Sequence, residues 1–339
     1  MESAVPFESP AAAAAARHVI VDNAPLQAAQ RRLALVTIVV PFLGTLAALA
    51  FTLVRPLGAV DLALLAVLYV LTSIGITVGF HRHFAHRAFQ ARPALTAALA
   101  ILGSMAAQGT MIYWVATHRR HHQFAELGLD PHSPYIHDGK PLGGWRGFWH
   151  SHVGWMLHSR MTNTAKFARD LIRDPLLARI NELYPVWVLL GLLLPAAVGG
   201  VLTASWGGAL SGFLWGGLVR LFLVHHMMWT SGSTAHMFGT RPYATEDMSK
   251  NNILLALPTL GEGWHNNHHA FPAAAQFGQR WWQVDPGGWT ISAFETLGWA
   301  WGTHAPAPDA IARRRTTAGD TDAPTAPRGQ EVGDGPLRR

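Results

Sequence analysis

Hydrophobic residues fall in long unbroken runs along this chain, and polar residues gather between them. Residues 33–54 (LALVTIVVPFLGTLAALAFTLV) carry no charge. A short link through Arg55, Pro56 and Leu57 leads to a second run, 58–80, where Asp61 is the only charge. Two later runs, 186–206 and 208–230, meet at Trp206, Gly207 and Gly208 and predict a hairpin. Runs of this length span about 30 Å of hydrocarbon as helices. The pattern predicts an all-α integral membrane protein with four transmembrane helices.

Residues 93–117 are uncharged as well, but they hold Gly103, Ser104, Gln108, Gly109 and Thr110. Histidine-rich segments lie directly before and after them. If they crossed the bilayer, those segments would face opposite sides. The stretch is therefore read as one interfacial or re-entrant helix. Twelve Lys and Arg lie within 81–185, against one in the first interspan link and none in the hairpin link. The positive-inside rule then places the histidine segments, as a helical cap, and both termini in the cytoplasm.

Composition sharpens this picture. Charged residues make up 14% of the 339 residues, against about a quarter in soluble chains. The absence of cysteine excludes disulfides, thiolate-bound clusters and zinc fingers. The net charge of +6 sits between spans, which favours anionic headgroups or an anionic substrate handle over nucleic acid. Residues 1–28 and 305–339 read as disordered tails around a membrane domain at 29–304.

Three histidine boxes carry the chemistry. His81 and His86 lie in HRHFAH, His118, His121 and His122 in HRRHH, and His265, His268 and His269 in HNNHH. The second and third boxes put imidazoles at i, i+3 and i+4, one face of a helix. Four spans bring all three boxes to one side of the membrane. Eight imidazoles exceed the needs of one tetrahedral ion, so a di-metal site is the economical reading. Glu262, Glu126, Asp130, Asn251 and Asn252 are candidates to accept the far N–H of a ligand ring. His83, His132, His137, His150, His152, His158, His225 and His226 read as packing residues. Trp114, Trp149, Trp155, Trp229 and Trp264 lie near the boxes, where they line a substrate tunnel or pack.

At these residues the chain resembles the membrane-bound fatty acid desaturases, in a bacterial-like version of the Δ9 acyl-CoA (stearoyl-CoA-type) branch. The text that carries the resemblance is GITVGFHRHFAHRAFQA (75–91), HRRHHQF with DPHSP (118–134), RGFWHSHVGW (146–155) and NNILLALPTLGEGWHNNHHAFP (251–272). It extends over about 33–300. The resemblance implies two non-haem iron ions, oxygen as co-substrate, and a cis double bond placed in a long-chain acyl-CoA or lipid-linked acyl chain. It adds His236 as a ninth ligand, and it places Gly232 where the family carries an Asn. The Arg-Asp pair that precedes box two in animal acyl-CoA enzymes is Ala116 and Thr117 here, so an anionic handle would meet Arg119, Arg120 or Arg146. Span two leads away from the irons, and Tyr69 on it either caps the acyl tunnel or packs between spans. No fused electron carrier is visible, so the donor is a separate protein: a ferredoxin, a rubredoxin-like protein, or cytochrome b5 with its reductase. The implied location is the cytoplasmic (inner) membrane. A hydroxylase of the same superfamily and a histidine-based metal transporter are the competing readings. Boxes that follow span ends, rather than sit mid-span, speak against transport.

Overall fold

A computed structural model describes residues 18–316 except Ser159. Among the described residues, four helices are long and apolar enough to cross a bilayer. Helix α1 (Ala24–Phe51) begins well before the expected start at residue 33. Asn23 caps it by accepting from the Leu26 amide, and Pro25 sits in its first turn. Hydropathy marked only the apolar part, and the polar first turns extend the same helix. Helix α2 (Ala59–Ala85) starts where buried Asp61 accepts from the Gly58 amide (3.0 Å) and pairs with Arg55 (2.8 Å). That accounts for the one charge of the second run.

The last part of α2, Gly75–Ala85, is wound in wide turns with i to i+5 hydrogen bonds. Gly75 makes this possible against a neighbour: a Cβ there would lie 2.1 Å from the Gly103 nitrogen. Gly103 lies on α3 (Pro93–Met105), which is followed by α4 (Met111–Phe124). The single helix expected over 93–117 is thus two helices. The break is at Ala107 (φ 55°) and Gly109 (φ 97°), left-handed positions that no helix continues through. Each half is about 20 Å long, too short to cross alone.

Next, α5 runs through Gly144–Trp149, the wide turn His150–Gly154 and Trp155–His158. The short α6 (Pro175–Glu182) leads into α7 (Tyr184–Thr203), which forms a hairpin with α8 (Trp206–Met237). The link is Ala204 and Ser205 rather than Trp206–Gly208. Ala204 is left-handed, and Ser205 caps the Gly208 amide. Arg220, fully buried on α8, donates to the carbonyls of Met105 and Gly191, both at 2.7 Å. It satisfies an end carbonyl of α3 that has no intrahelical partner, and so ties α3 to the α7–α8 hairpin.

The cap is built from α9 (Ile253–Ala256), α10 (His265–Ala270), α11 (Pro286–Thr296) and α12 (Pro308–Arg314). Three two-stranded pairs pin its edges: β1 (Ile20–Val21) with β5 (Met161–Thr162), β2 (Gln90–Ala91) with β6 (Ala300–Trp301), and β3 (Ile136–His137) with β4 (Lys140–Pro141). The pairing of β1 and the helix α12 correct the two expected tail boundaries. Residues 18–28 contain β1, buried Val19 and Ile20, and the start of α1. Residues 305–316 contain α12, where Arg314 donates to the Ala270 carbonyl beside box three. The remaining tail residues, 1–17 and 317–339, lie outside the described residues.

Candidate metal centre

Box one owes its geometry to the wide turns of α2. In an ordinary helix, residues five apart diverge by about 140°. Here the His86 amide donates to the His81 carbonyl at 3.1 Å, so i and i+5 fall into register and both rings face one way. Arg82 between them is locked in place. It pairs with Asp285 (2.8 Å), donates to the Ala275 carbonyl (3.0 Å) and covers the Phe277 ring at 3.8 Å. Box two lies in the last two turns of α4. Box three is α10, and its two asparagines staple it down. Asn266 exchanges hydrogen bonds with the Tyr243 backbone (2.9 and 3.1 Å), and Asn267 holds the Phe277 carbonyl (2.8 Å) and Gln283 (3.0 Å).

The nine histidines expected from the sequence fall into two donor groups. His81, His86, His118, His122 and His268 form one; His121, His236, His265 and His269 form the other. In each, one nitrogen per ring lies within 4.8 Å of all the others. The contacts fit shared cations. His268 Nε2 is 2.9 Å from both His81 Nε2 and His122 Nε2, and His86 Nε2 is 2.7 Å from His118 Nε2. One ring nitrogen cannot donate to two neighbours. Nitrogens about 2.1 Å from one ion, at right angles, stand about 3.0 Å apart. In the second group His265 Nε2 is 3.0 Å from His236 Nε2, while His121 Nε2 and His269 Nε2 are buried without any partner. Those are the orphaned atoms a cation would satisfy.

Four carboxylates orient the rings from behind. His81 Nδ1 meets Glu262 at 2.6 Å, His121 Nδ1 meets Asp130 at 3.0 Å, His236 Nδ1 meets Glu126 at 3.0 Å, and His269 Nδ1 meets Asp247 at 2.7 Å. Such partners fix the tautomer and raise the basicity of the far nitrogen. Glu262 is itself held by Thr77. Glu126 accepts from the Met248 amide (2.8 Å) and Asp130 from the Glu126 amide (2.7 Å). Burial, and then the crowding of other imidazoles, pushes His118, His122, His265 and His268 well below the usual histidine range. Neutral imidazole is the form that ligates. Burial opposes the charge on Asp130, yet His121 and the hydrogen bonds it accepts hold it well below the usual carboxylate range. Asn251 and Asn252 do not touch the rings: Asn251 bonds Asn267 (2.6 Å), and Asn252 caps α9. Asp247 was not foreseen, because nothing in its neighbourhood along the chain marks it.

A cavity of about 390 Å³ ends on both groups, with His81 and His118 of one and His121 and His265 of the other in its wall. Trp114, Trp155 and Trp229 line it, as do Gln30, Gln108 and Tyr113, which sequence reading missed. Trp114 stacks on His118 (5.1 Å) and donates to Gln108. Gly232 also lines the cavity, and a Cβ there would lie 3.0 Å from His132 Nδ1, a buried atom without a partner. His132 in turn stacks on His121 at 4.2 Å.

Other expected contacts are not made. Trp149 is half-exposed outside the cavity. Trp264 is buried beneath α9 and donates to the Val284 carbonyl (2.8 Å). Tyr69 lies off the cavity, its hydroxyl donating to the Pro258 carbonyl (2.5 Å). Arg119 is consumed by Asp170 (2.7 Å) and by the carbonyls of Phe84, Ala85 and Phe167. Arg120 is consumed by the carbonyls of Leu129 (2.8 Å) and Arg160 (2.9 Å). Arg146 is exposed on α5, away from the cavity.

Comparison with known proteins agrees with this geometry. The chain is 45% identical over 271 residues to a hex-5-enoyl-(acyl-carrier protein) acetylenase of Moorena producens, covering 79% of this chain and 84% of that protein. It is 37% identical over 247 residues to an sn-1 stearoyl-lipid 9-desaturase of Anabaena variabilis, covering 72% and 83%. An sn-1 stearoyl-lipid 9-desaturase of Synechocystis sp. is 38% identical over 260 residues, covering 76% and 75%. The fatty acid desaturase family model matches residues 59–294. With its boxed histidines gathered at the end of one cavity, the chain belongs to the fatty acid desaturase family.

Proposed function

We propose that this protein is an oxygen-dependent desaturase that places a cis double bond near the middle of a long saturated acyl chain carried by coenzyme A or a lipid. The observation that carries the reading is a cavity that ends on both histidine groups. One iron would be held by His81, His86, His118, His122 and His268, the other by His121, His236, His265 and His269. Bound there with oxygen and two electrons, the pair would supply the oxidising power to take hydrogen from unactivated methylenes. The chain's own work is positioning and exclusion. Glu262, Asp130, Glu126 and Asp247 hold ligand rings by their far nitrogens. Trp114 and Trp229 form apolar walls that fix two adjacent carbons and keep bulk water out.

Electrons come from a separate donor protein: a ferredoxin, a rubredoxin-like protein, or cytochrome b5 with its reductase. The protein sits in the cytoplasmic membrane with the histidine cap and both termini inside, as the Lys and Arg distribution supports. Single cysteines replacing exposed Gln90 and Gln123 should then label from the same side.

The test is expression in a host lacking its own desaturase, with double-bond positions determined in the extracted fatty acids. Metal analysis of the purified protein should give close to two irons per chain. A value near one, or full activity in His268→Ala, refutes the assignment. A second reading, an acetylenase acting on an existing double bond, draws on the 45% identity to the Moorena protein. Offering saturated and terminally unsaturated chains in the same assay separates the two.

A further inference from the structure

The cavity has a mouth, and its position bears on how the acyl chain arrives. The exposed residues of its wall are Leu26, Ala29 and Leu33, one stripe of α1. Met156 and Met161, partly exposed, face them across the opening. The mouth is therefore in the flank of the first span, not in the top of the cap. Its depth follows from the length of α1. Residues 33–51 rise about 28 Å, close to the roughly 30 Å of a hydrocarbon core. Arg31 and Arg32, both exposed, mark the polar zone that begins above Leu33. An opening bounded by Leu26, Ala29 and Leu33 lies where the ester linkages of membrane lipids lie.

The wall is also uncharged by Lys or Arg. Arg119 and Arg120 are bound to carbonyls and Asp170, and Arg146 is on α5 outside the lining. A phosphate drawn inside this wall would shed water and find no counter-charge, whereas the phosphate of a membrane lipid stays outside, at the depth of Arg31 and Arg32. One polar group does wait there. Gln30 donates from Nε2 to the Tyr113 hydroxyl (3.0 Å), while its Oε1 is buried and has no partner. Turned over, the same amide accepts from Tyr113 and presents an N–H to an incoming carbonyl.

We propose that the substrate enters sideways from the bilayer, still esterified to a membrane glycerolipid, between α1 and Met156–Met161, and that Gln30 beside Tyr113 receives its ester carbonyl. This rests on the desaturase reading above. The test is a single turnover, which needs no donor protein. Full-length, iron-loaded protein in lipid nanodiscs is reduced without oxygen, freed of reductant, and mixed with oxygenated buffer. Three arms offer deuterated stearoyl chains on phosphatidylglycerol in the disc, on coenzyme A, or on acyl-carrier protein. At least tenfold more alkene from the lipid arm is expected. Equal or greater product from either soluble carrier overturns this inference and leaves the desaturase reading intact. No alkene from any arm refutes both.

Ala29→Trp should block the mouth and cut lipid conversion at least tenfold, with iron per chain and thermal melting unchanged. A readout independent of turnover is photolabelling by a phosphatidylglycerol with a diazirine in its acyl chain. Label should enter the peptide containing residues 26–37, and Ala29→Trp should abolish it. Labelling that spares this peptide, or that persists in the variant, overturns the route.

Discussion

Replacing Asp285 by Ala should destabilise the protein more than any other single change at a residue remote from the metal ligands. Asp285 and Arg82 are both buried, at 2% and 0% exposure. Their guanidinium–carboxylate contact is two-pronged, at 2.8 and 3.2 Å. The same carboxylate accepts from the amides of Phe277 (2.6 Å) and Gly288 (2.9 Å). Removing it strands a charge in a site that water does not reach. Breaking one partner of a buried pair costs about 3–5 kcal/mol. For a chain of this size that is a fall in melting temperature of roughly 4–7 °C. The damage should spread to the histidines, because Phe277, held between Arg82 and this loop, packs at 4.3 Å from His268 and 5.3 Å from His81. The assay is thermal unfolding in detergent, with bound iron per chain measured on the same samples. The Arg82→Leu, Asp285→Leu double variant should recover part of the loss, since it leaves no charge unpaired. A melting shift under about 2 °C for Asp285→Ala, with iron retained, would refute the argument.

Three further outcomes are expected. Burial opposes the charge on Asp170, but hydrogen bonds from Arg119 and Arg87 bring its carboxyl down to about 2. Its contribution, at most about 2.6 kcal/mol, is therefore fully present above the unfolded value near 3.9 and is lost as pH falls through roughly 2. Asp170→Asn should flatten the stability–pH curve across that window, and an unchanged acid limb would contradict this. Tyr69→Ala should leave chain-length preference unchanged, because the ring is off the cavity, and cost about 2–4 kcal/mol for the lost bond to Pro258 and the lost packing of its ring on the core; competition between saturated chains of increasing length tests it. Gly232→Asn should lower stability by about 1–3 kcal/mol by crowding His132, measured by melting and iron retention, and adding His132→Ala should restore it.

What the sequence made legible was chemistry that needs little tertiary context. Imidazoles at i, i+3 and i+4 declare one face of a helix whatever surrounds them, and uncharged runs declare spans. The family, and with it a helical membrane fold, followed from those residues and was borne out. Boundaries were harder. Asn23 and Pro25 start α1 with residues that hydropathy discounts, and the break after α3 rests on Ala107 in a left-handed conformation that its identity does not announce. Partners distant along the chain were hidden altogether. Arg119 and Arg120 looked available to a substrate because their carbonyl acceptors belong to other segments. Asp247 reaches His269 only after the chain folds back.

Two helices each serve both donor groups. Helix α4 sends His118 and His122 to one and His121 to the other; α10 sends His268 to the first and His265 and His269 to the second. Neither group can relax without shifting the backbone on which its neighbour depends. With the two-iron reading, the first ion to arrive rigidifies both helices and lowers the ordering cost for the next. Filling should then be cooperative, with the half-filled chain the scarcest species in a titration. Removing one ion with a chelator would release its twin.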